Sequence, residues 1–261
     1  LPGMGLDTEL FDDFTMSPQV MDLQVVELDN HTWDTCINMI SSHSNMVSIP
    51  GKSLKLAVKE KNTNTILGFI KLGSPLINSK PRNNYLGDMP ELKTFNKRAI
   101  MGFIIVPVQP FGFNYLGGKL LSAICTSHTV REICNKKYGM NLCLFETTSL
   151  YGSTKQVSQY DGMKPFLRHK GETVSDFAPL INDDNFHRLN DWFKKRNGEP
   201  LIDPMASSRK LKTQTKMISI IKASLKGVNN TAYNKFVQTY TNAKGLTERK
   251  RAYMSDYGYD N

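Results

Sequence analysis

The chain has 261 residues, 39% of them hydrophobic and 10% aromatic, which is enough to bury a core and excludes global disorder. No apolar run approaches the roughly 20 residues of a membrane span, and residues 1–14 carry neither the basic nor the apolar stretch of a secretory signal. The net charge of +9 is concentrated at one end: residues 191–261 hold 14 Lys/Arg against 6 Asp/Glu, whereas the first 190 residues hold 19 against 18.

Residues 1–20 read as an acidic, poorly ordered arm; the first 30 residues hold seven acids and no base. Residues 22–28 predict a strand. A helix follows, capped by Asp29 or Asn30, with Trp33, Cys36 and Ile40 at helical spacing. The β-rich runs 54–60 and 65–72, separated by four polar residues, predict a hairpin. Residues 73–96, with Pro75, Pro81, Gly87 and Pro90, read as a long loop. The most apolar run, 99–108, predicts a central strand buried on both faces and ended by Pro107 and Pro110.

A helix is predicted over 118–138, with Leu120, Leu121, Ile124, Cys125, Ile133 and Cys134 on its apolar face and Gly139 as its stop. Residues 141–150 predict a second buried strand. Residues 152–162 predict a short helix capped by Ser153, and residues 163–172 lead into a last strand. From about 178 the pattern turns helical and basic. The expected organisation is an acidic flexible arm (1–20), an α/β domain (21–178) and a basic, mostly helical extension (179–261). Strand 99–108, helix 118–138 and strand 141–150 form a unit that implies a right-handed parallel crossover. The fold class expected is α/β (α+β), a mixed sheet flanked by helices. Cys36, Cys125, Cys134 and Cys143 are predicted reduced and buried, in keeping with a cytosolic chain, and no His/Cys cluster has metal-ligand spacing, so no metal is expected.

This order of elements resembles that of the acyl-CoA N-acyltransferases (a GNAT-like fold). In that family the fourth strand ends in Val-x-Pro. Gln/Arg-x-x-Gly-x-Gly/Ala and a Leu-Leu pair follow, and the loop amides and helix N-terminus hold the CoA pyrophosphate. Here Val108, Pro110, Gly117 and Leu120-Leu121 fit the pattern, whereas Gly112 stands where Gln or Arg is expected and Tyr115 where the first glycine is expected. The resemblance implies acyl-CoA as cofactor, held by Val106, Val108, Gly112, Phe113, Asn114, Tyr115, Gly117 and Gly118. Tyr115 would crowd a diphosphate, so an altered, shifted or lost site stays open, as does a purely structural turn. Residues 153–166 resemble the family's Ala-x-x-x-Tyr-Glu-x-x-Gly-Phe helix end, which puts Tyr160 at the Tyr that protonates the leaving thiolate.

Residues 54–173 are similar, more narrowly, to the Druantia anti-phage A family. Asn96, Arg98, Pro107, Tyr138, Gly139, Glu146, Thr147, Gly152, Gly162, Gly171 and Thr173 carry that likeness. The layout also resembles the bacteriophage Mom DNA-modification proteins. Both resemblances imply phage–host biology in a bacterial cytoplasm, with nucleic acid, DNA ahead of RNA, as substrate or partner; a phage-encoded origin is also open.

Two diverging parallel strands make a pocket at their C-terminal ends. There Glu146 is expected to take a proton and Tyr160 to return one, with backbone amides at Val106 to Val108 polarising the thioester carbonyl. The plain alternatives are an ion pair of Glu146 with Arg98, Lys155 or Arg168, and a packing role for Tyr160. The candidate phosphate contacts are Lys194, Lys195, Arg196, Arg209, Lys210, Lys212, Arg249, Lys250 and Arg251. Trp192, Phe193, Tyr233, Phe236, Tyr240 and Tyr253 lie among them, available for base stacking or for helix packing. Three functions follow as expectations: a transferase that modifies nucleic acid, a non-catalytic DNA- or RNA-binding protein on a degenerate acyltransferase fold, and a protein or small-molecule N-acyltransferase.

Overall fold

The computed structural model describes residues 9–13, 15–40, 51–109, 111–150, 157–176, 181, 183–201, 210–244 and 247–258. The chain divides into two compact units, Leu1–Thr173 with Arg249–Asn261, and Val174–Glu248. The first unit is built on a seven-stranded mixed sheet. In chain order its strands are β1 (Leu23–Glu27), β2 (Ser53–Glu60), β3 (Thr65–Gly73), β4 (Ala99–Pro107), β5 (Leu144–Ser149), β6 (Arg168–Asp176) and β7 (Thr247–Ser255). In space they run β1-β2-β3-β4-β5-β7-β6.

Helix α1 (Asn30–Ile40) follows β1. Asp29 starts it by accepting from the Thr32 amide at 2.9 Å. The predicted hairpin is β2–β3, antiparallel from Ser53↔Gly73 to Glu60↔Thr65. Its turn is fixed by the Glu60 carboxylate, which accepts from the Thr63 amide (2.7 Å), the Thr63 hydroxyl (2.8 Å), the Asn62 amide group (2.8 Å) and the Asp22 backbone N–H (3.1 Å). Burial would raise this carboxyl, but those donors outweigh it and hold it down at about 2.

The stretch expected to be a long loop contains two short helices, α2 (Lys80–Leu86) and α3 (Leu92–Arg98). Pro81 sits in the first turn of α2, and Gly87 closes it at φ +86°. Glu91 caps α3, accepting from the Lys93 and Thr94 amides at 2.9 and 2.8 Å. The turn residues that suggested a loop are here the ends of helices.

After β4 come α4 (Phe111–Asn114), α5 (Gly117–Cys125) and α6 (His128–Tyr138). The single helix predicted over 118–138 is thus two. The Thr126 and Ser127 hydroxyls bond to the Ala123 and Ile124 carbonyls, and Ser127 restarts the ladder by accepting from the Val130 amide. Gly139, at φ +60°, ends α6. Helices cover both faces of the sheet. On β5, Phe145 joins the core that includes Leu121, Cys125 and Cys134, while its neighbour Leu144 packs with Phe95 of α3, Ala252 and Met254. Gly68 lets α5 approach, since a Cβ there would come within 2.4 Å of a Leu121 methyl and 2.8 Å of the Val106 carbonyl. Cys36, Cys125 and Cys134 are buried and Cys143 half-buried, and all four are free thiols. Burial pushes the Cys134 thiol up to about 12.

Segments from both ends of the chain join the sheet. Residues 9–13 of the acidic arm are docked: Leu10 bridges Ile66, Phe11 is buried, the Phe11 N–H donates to the Ile66 carbonyl at 2.9 Å, and the Ile66 N–H donates to the Glu9 carbonyl at 2.8 Å. The basic extension, expected to be mostly helical, also carries a strand: β7 returns to the sheet and pairs antiparallel with β5 from Phe145↔Ser255 to Ser149↔Arg251. The second unit contains α7 (Asp183–Asn197), α8 (Lys210–Leu225) and α9 (Asn230–Lys244). A turn at Gly227 joins α8 to α9, and the Lys222 ammonium lies 3.9 Å from the Tyr240 ring centre. Among the described residues no helix is long and apolar enough to cross a membrane.

Candidate functional site

β4 and β5 run parallel, as the crossover predicts, but they pair only from Ala99↔Leu144 to Gly102↔Thr147. Beyond that point β4 continues to Pro107 on its pairing with β3 alone. The two strands therefore part, and the β4 edge from about residue 103 faces a crevice. A Cβ on Gly102 would meet the Phe145 ring at 3.0 Å, so close strand packing immediately precedes the opening.

The chain itself occupies this crevice. Residues 157–162 form turns rather than the predicted helix, and Ser153 and Lys155 lie outside the described residues. The Gln159 side-chain N–H donates to the Ile105 carbonyl at 3.2 Å. A Cβ on Gly118 would come within 2.6 Å of the Gln159 amide oxygen. One carboxamide thus spans the open β4 edge and the start of α5. The Lys119 ammonium holds the same turn, donating to the Gln159 carbonyl at 3.2 Å and to the Asp161 carbonyl.

The expected cofactor loop is largely committed to internal bonds. The Val108 amide donates to the Leu67 carbonyl at 2.9 Å, the Gly112 amide to Val108 at 2.8 Å, and the Phe113 amide to the Gln109 side chain at 3.2 Å. A Cβ on Gly112 would run into the Gln109 side chain at 2.5 Å. Tyr115 packs on Phe11 and Phe111, and its hydroxyl donates to the Asp13 carbonyl at 3.0 Å. It is engaged with the arm rather than lying over the loop. Gly117 and Gly118 are buried, Phe113 and Asn114 are exposed, Val106 is half-buried in β4, and Pro110 lies outside the described residues. A groove of about 340 Å³ between the arm and α5 is lined by residues including Met21, Leu23, Phe111 and Leu120. Its one charged side chain is Lys119, already bonded to the turn.

Tyr160 is 6% exposed, so no acceptor or thiolate reaches it in this arrangement. Burial raises its phenol, against hydrogen bonds from the Thr147 and Gln159 side chains. Its ring lies 5.2 Å from that of Tyr253. Asp161, beside it, accepts from the Tyr253 hydroxyl (2.6 Å), Arg251 (3.1 Å) and the Ser158 amide (3.2 Å). Burial would raise Asp161, but these donors and the Arg251 and Lys119 charges hold it below the usual carboxylate range. Tyr253 is pushed up to about 12 by its burial and by Asp161.

Glu146 lies on the opposite face of β5. Thr147, the neighbour that bonds Tyr160, is registered with Tyr253, whereas Glu146 is registered with Met254 on the α3 side. Alternation along the strand therefore separates the two residues expected to share proton transfer. The Glu146 partner is Arg82 of α2, at 3.0 Å, rather than Arg98, Lys155 or Arg168. Arg82 is fully buried and also donates to the Leu76 carbonyl at 2.6 Å and to the Ile77 carbonyl. Its guanidinium lies 4.4 Å from the Phe95 ring centre. Burial pushes the Glu146 carboxyl up to about 7, against the pull of the Arg82 charge.

The candidate phosphate contacts fall in different places. Lys194, Lys195 and Arg196 are exposed in the last turn of α7. Lys210 and Lys212 lie in the first turn of α8, and Arg209 lies outside the described residues. Arg249, Lys250 and Arg251 belong to β7, where Arg251 pairs with Asp161 and the Lys250 carbonyl accepts from Thr173 at 3.4 Å. No sequence motif marks Arg82, Gln159, Asp161 or Lys119 as part of the site. Arg82 follows a proline in a polar stretch, and nothing local marks it as buried.

Fold and site together define an α+β protein whose sheet opens into a crevice that its own turn fills. A family model described as Druantia protein DruA matches residues 13–161, more than half of the chain. The chain belongs to that family, which gives it an anti-phage defence context. No curated protein matches it.

Proposed function

We propose that this chain is a non-catalytic nucleic-acid-binding component of anti-phage defence, built on an acyltransferase-like sheet that no longer takes acyl-CoA. Support for the acyltransferase-like ancestry is the strand order, with its one parallel pair diverging ahead of α5. The observation that carries the non-catalytic reading is the Gln159 carboxamide, bonded to Ile105 and packed against Gly118. An extended ligand entering between β4 and β5 needs that carbonyl edge, and a diphosphate needs the approach to α5. The buried Tyr160 and the separation of Glu146 from it argue the same way.

The nucleic-acid partner is supported by charge. Val174–Glu248 holds 12 Lys/Arg against 7 Asp/Glu, and three consecutive cations are exposed at the end of α7. Each phosphate neutralised on a duplex contributes about −0.9 to the slope of log K against log salt.

The test is a pair of measurements on the whole chain. Duplex and single-stranded DNA should bind with an affinity that falls steeply between about 50 and 200 mM salt. The triple variant K194E/K195E/R196E should bind more weakly and show a shallower slope. Acetyl-CoA should leave the melting temperature unchanged. A clear rise with acetyl-CoA, lost on Gly118→Trp, would overturn the non-catalytic half in favour of a base-modifying transferase. Salt-independent binding, or none, would overturn the nucleic-acid half.

A further inference from the structure

Helix α7 carries a surface that its packing does not explain. Asn190 and Phe193 are buried and Phe186 is half-buried, all on one side of the helix. On the other side Arg188, Trp192, Lys195 and Arg196 are exposed, within about 100° of arc at 3.6 residues per turn. Asp184 and Asp191 flank this stripe, so it is cationic along one edge rather than uniformly. Trp192 is 47% exposed, and the Arg196 guanidinium stands 5.1 Å from its ring centre. Phe193 meets the indole edge-on at 5.1 Å, which fixes the ring's plane from its buried side. A large ring held by one arginine and one aromatic neighbour, and set among cations, is what an unstacked base requires: a flat apolar face with phosphate-binding charge beside it. Paired bases offer no face to such a ring, because each is covered by its neighbours in the stack.

We infer that Trp192 is a stacking platform for an unpaired base, and that α7 therefore selects single-stranded over double-stranded nucleic acid, with Arg188, Lys195 and Arg196 on the flanking phosphates. This rests on the nucleic-acid reading above and specifies which form of the polymer that reading concerns. The Arg196 guanidinium lies against the indole, so the base takes the ring's uncovered surface and the cation–π contact is retained on binding.

The sequence holds two tryptophans, and Trp33 is buried at 2% exposure, so a fluorescence change on binding reports Trp192. The probes are fluorescein-labelled oligo(dT) and oligo(U) of fifteen nucleotides, and a fifteen-base-pair DNA duplex, titrated against the full chain at about 100 mM salt. Expected results are quenching of the intrinsic fluorescence by the single strands and about tenfold weaker single-strand binding by Trp192→Ala, from the ~1–3 kcal/mol of one stacked base. Duplex affinity should change less than about twofold, and Trp192→Phe should retain most of the single-strand affinity. A difference between oligo(dT) and oligo(U) identifies which polymer is preferred. Equal losses on single strand and duplex, or no loss on either while K195A/R196A still weakens binding, would overturn the stacking role and leave the nucleic-acid reading standing. Absence of binding by the unaltered chain to all three probes would remove both. Unchanged melting of Trp192→Ala, expected for an exposed side chain, keeps the comparison free of unfolding.

Discussion

Arg82 and Glu146 form the one ion pair between fully or almost fully buried side chains among the described residues. Two backbone carbonyls and the Phe95 ring satisfy much of the guanidinium besides Glu146. Removing it by Arg82→Ala strands a carboxylate in the interior and should cost about 3–5 kcal/mol in urea unfolding. The apolar double replacement R82M/E146L should cost less than that single change. The pH dependence has a definite sign. Glu146 binds its proton more tightly in the fold than in the unfolded chain, so between about 4.5 and 7 the fold holds the extra proton. Stability from this group is present below that window and is lost as pH rises through it. Glu146→Gln should flatten the downward slope of unfolding free energy over that range. Glu146 is recognisable in the sequence as a carboxylate within an apolar strand. Its partner is not, because 64 residues separate them and Arg82 stands in a stretch whose prolines and glycine read as a loop.

Elements with strong local patterns were legible. The hairpin β2–β3, the apolar β4 and the parallel β4–β5 pair follow from alternation, apolar runs and the helix needed to cross between parallel strands. The break between α5 and α6 was not, since the apolar face continues through Thr126 and Ser127 while their hydroxyls take the helix carbonyls. Ser127→Ala removes the cap of α6 and should lower stability by about 1 kcal/mol, read by thermal or urea melts. The filled crevice was equally hidden. A resemblance can match Gly117 and Tyr160 to positions in a pattern, but that Gln159 turns its side chain onto the β4 edge is a fact of tertiary packing. Gln159→Ala should expose the Ile105 carbonyl and speed amide exchange in the 158–161 turn, measured by hydrogen–deuterium exchange, with protection of the β2–β3 hairpin unchanged.

On the scale of the molecule, composition shows a basic end but not how the chain divides into units. The second unit runs from Val174 to Glu248, and its end has no compositional mark. The segment containing Arg249, Lys250 and Arg251 reads as more of the same basic run, and its strand partner β5 lies about a hundred residues earlier. The second unit is an insertion between neighbouring strands β6 and β7. Truncation after residue 190 should therefore leave the sheet unit unable to melt cooperatively. Excision of residues 174–248 behind a short Gly/Ser linker should preserve a cooperative melt and lose the salt-sensitive DNA binding. Calorimetry and a binding titration on the two deletions distinguish these outcomes.

Strand β7 lies between two strands that are synthesised before it. As the chain leaves the ribosome, β5 and β6 emerge first, and the slot between them stays vacant while some seventy further residues are translated. Over that interval the nascent protein carries two unsatisfied strand edges. Closure awaits β7, so the sheet is complete only once that strand has emerged and entered the slot between its two neighbours.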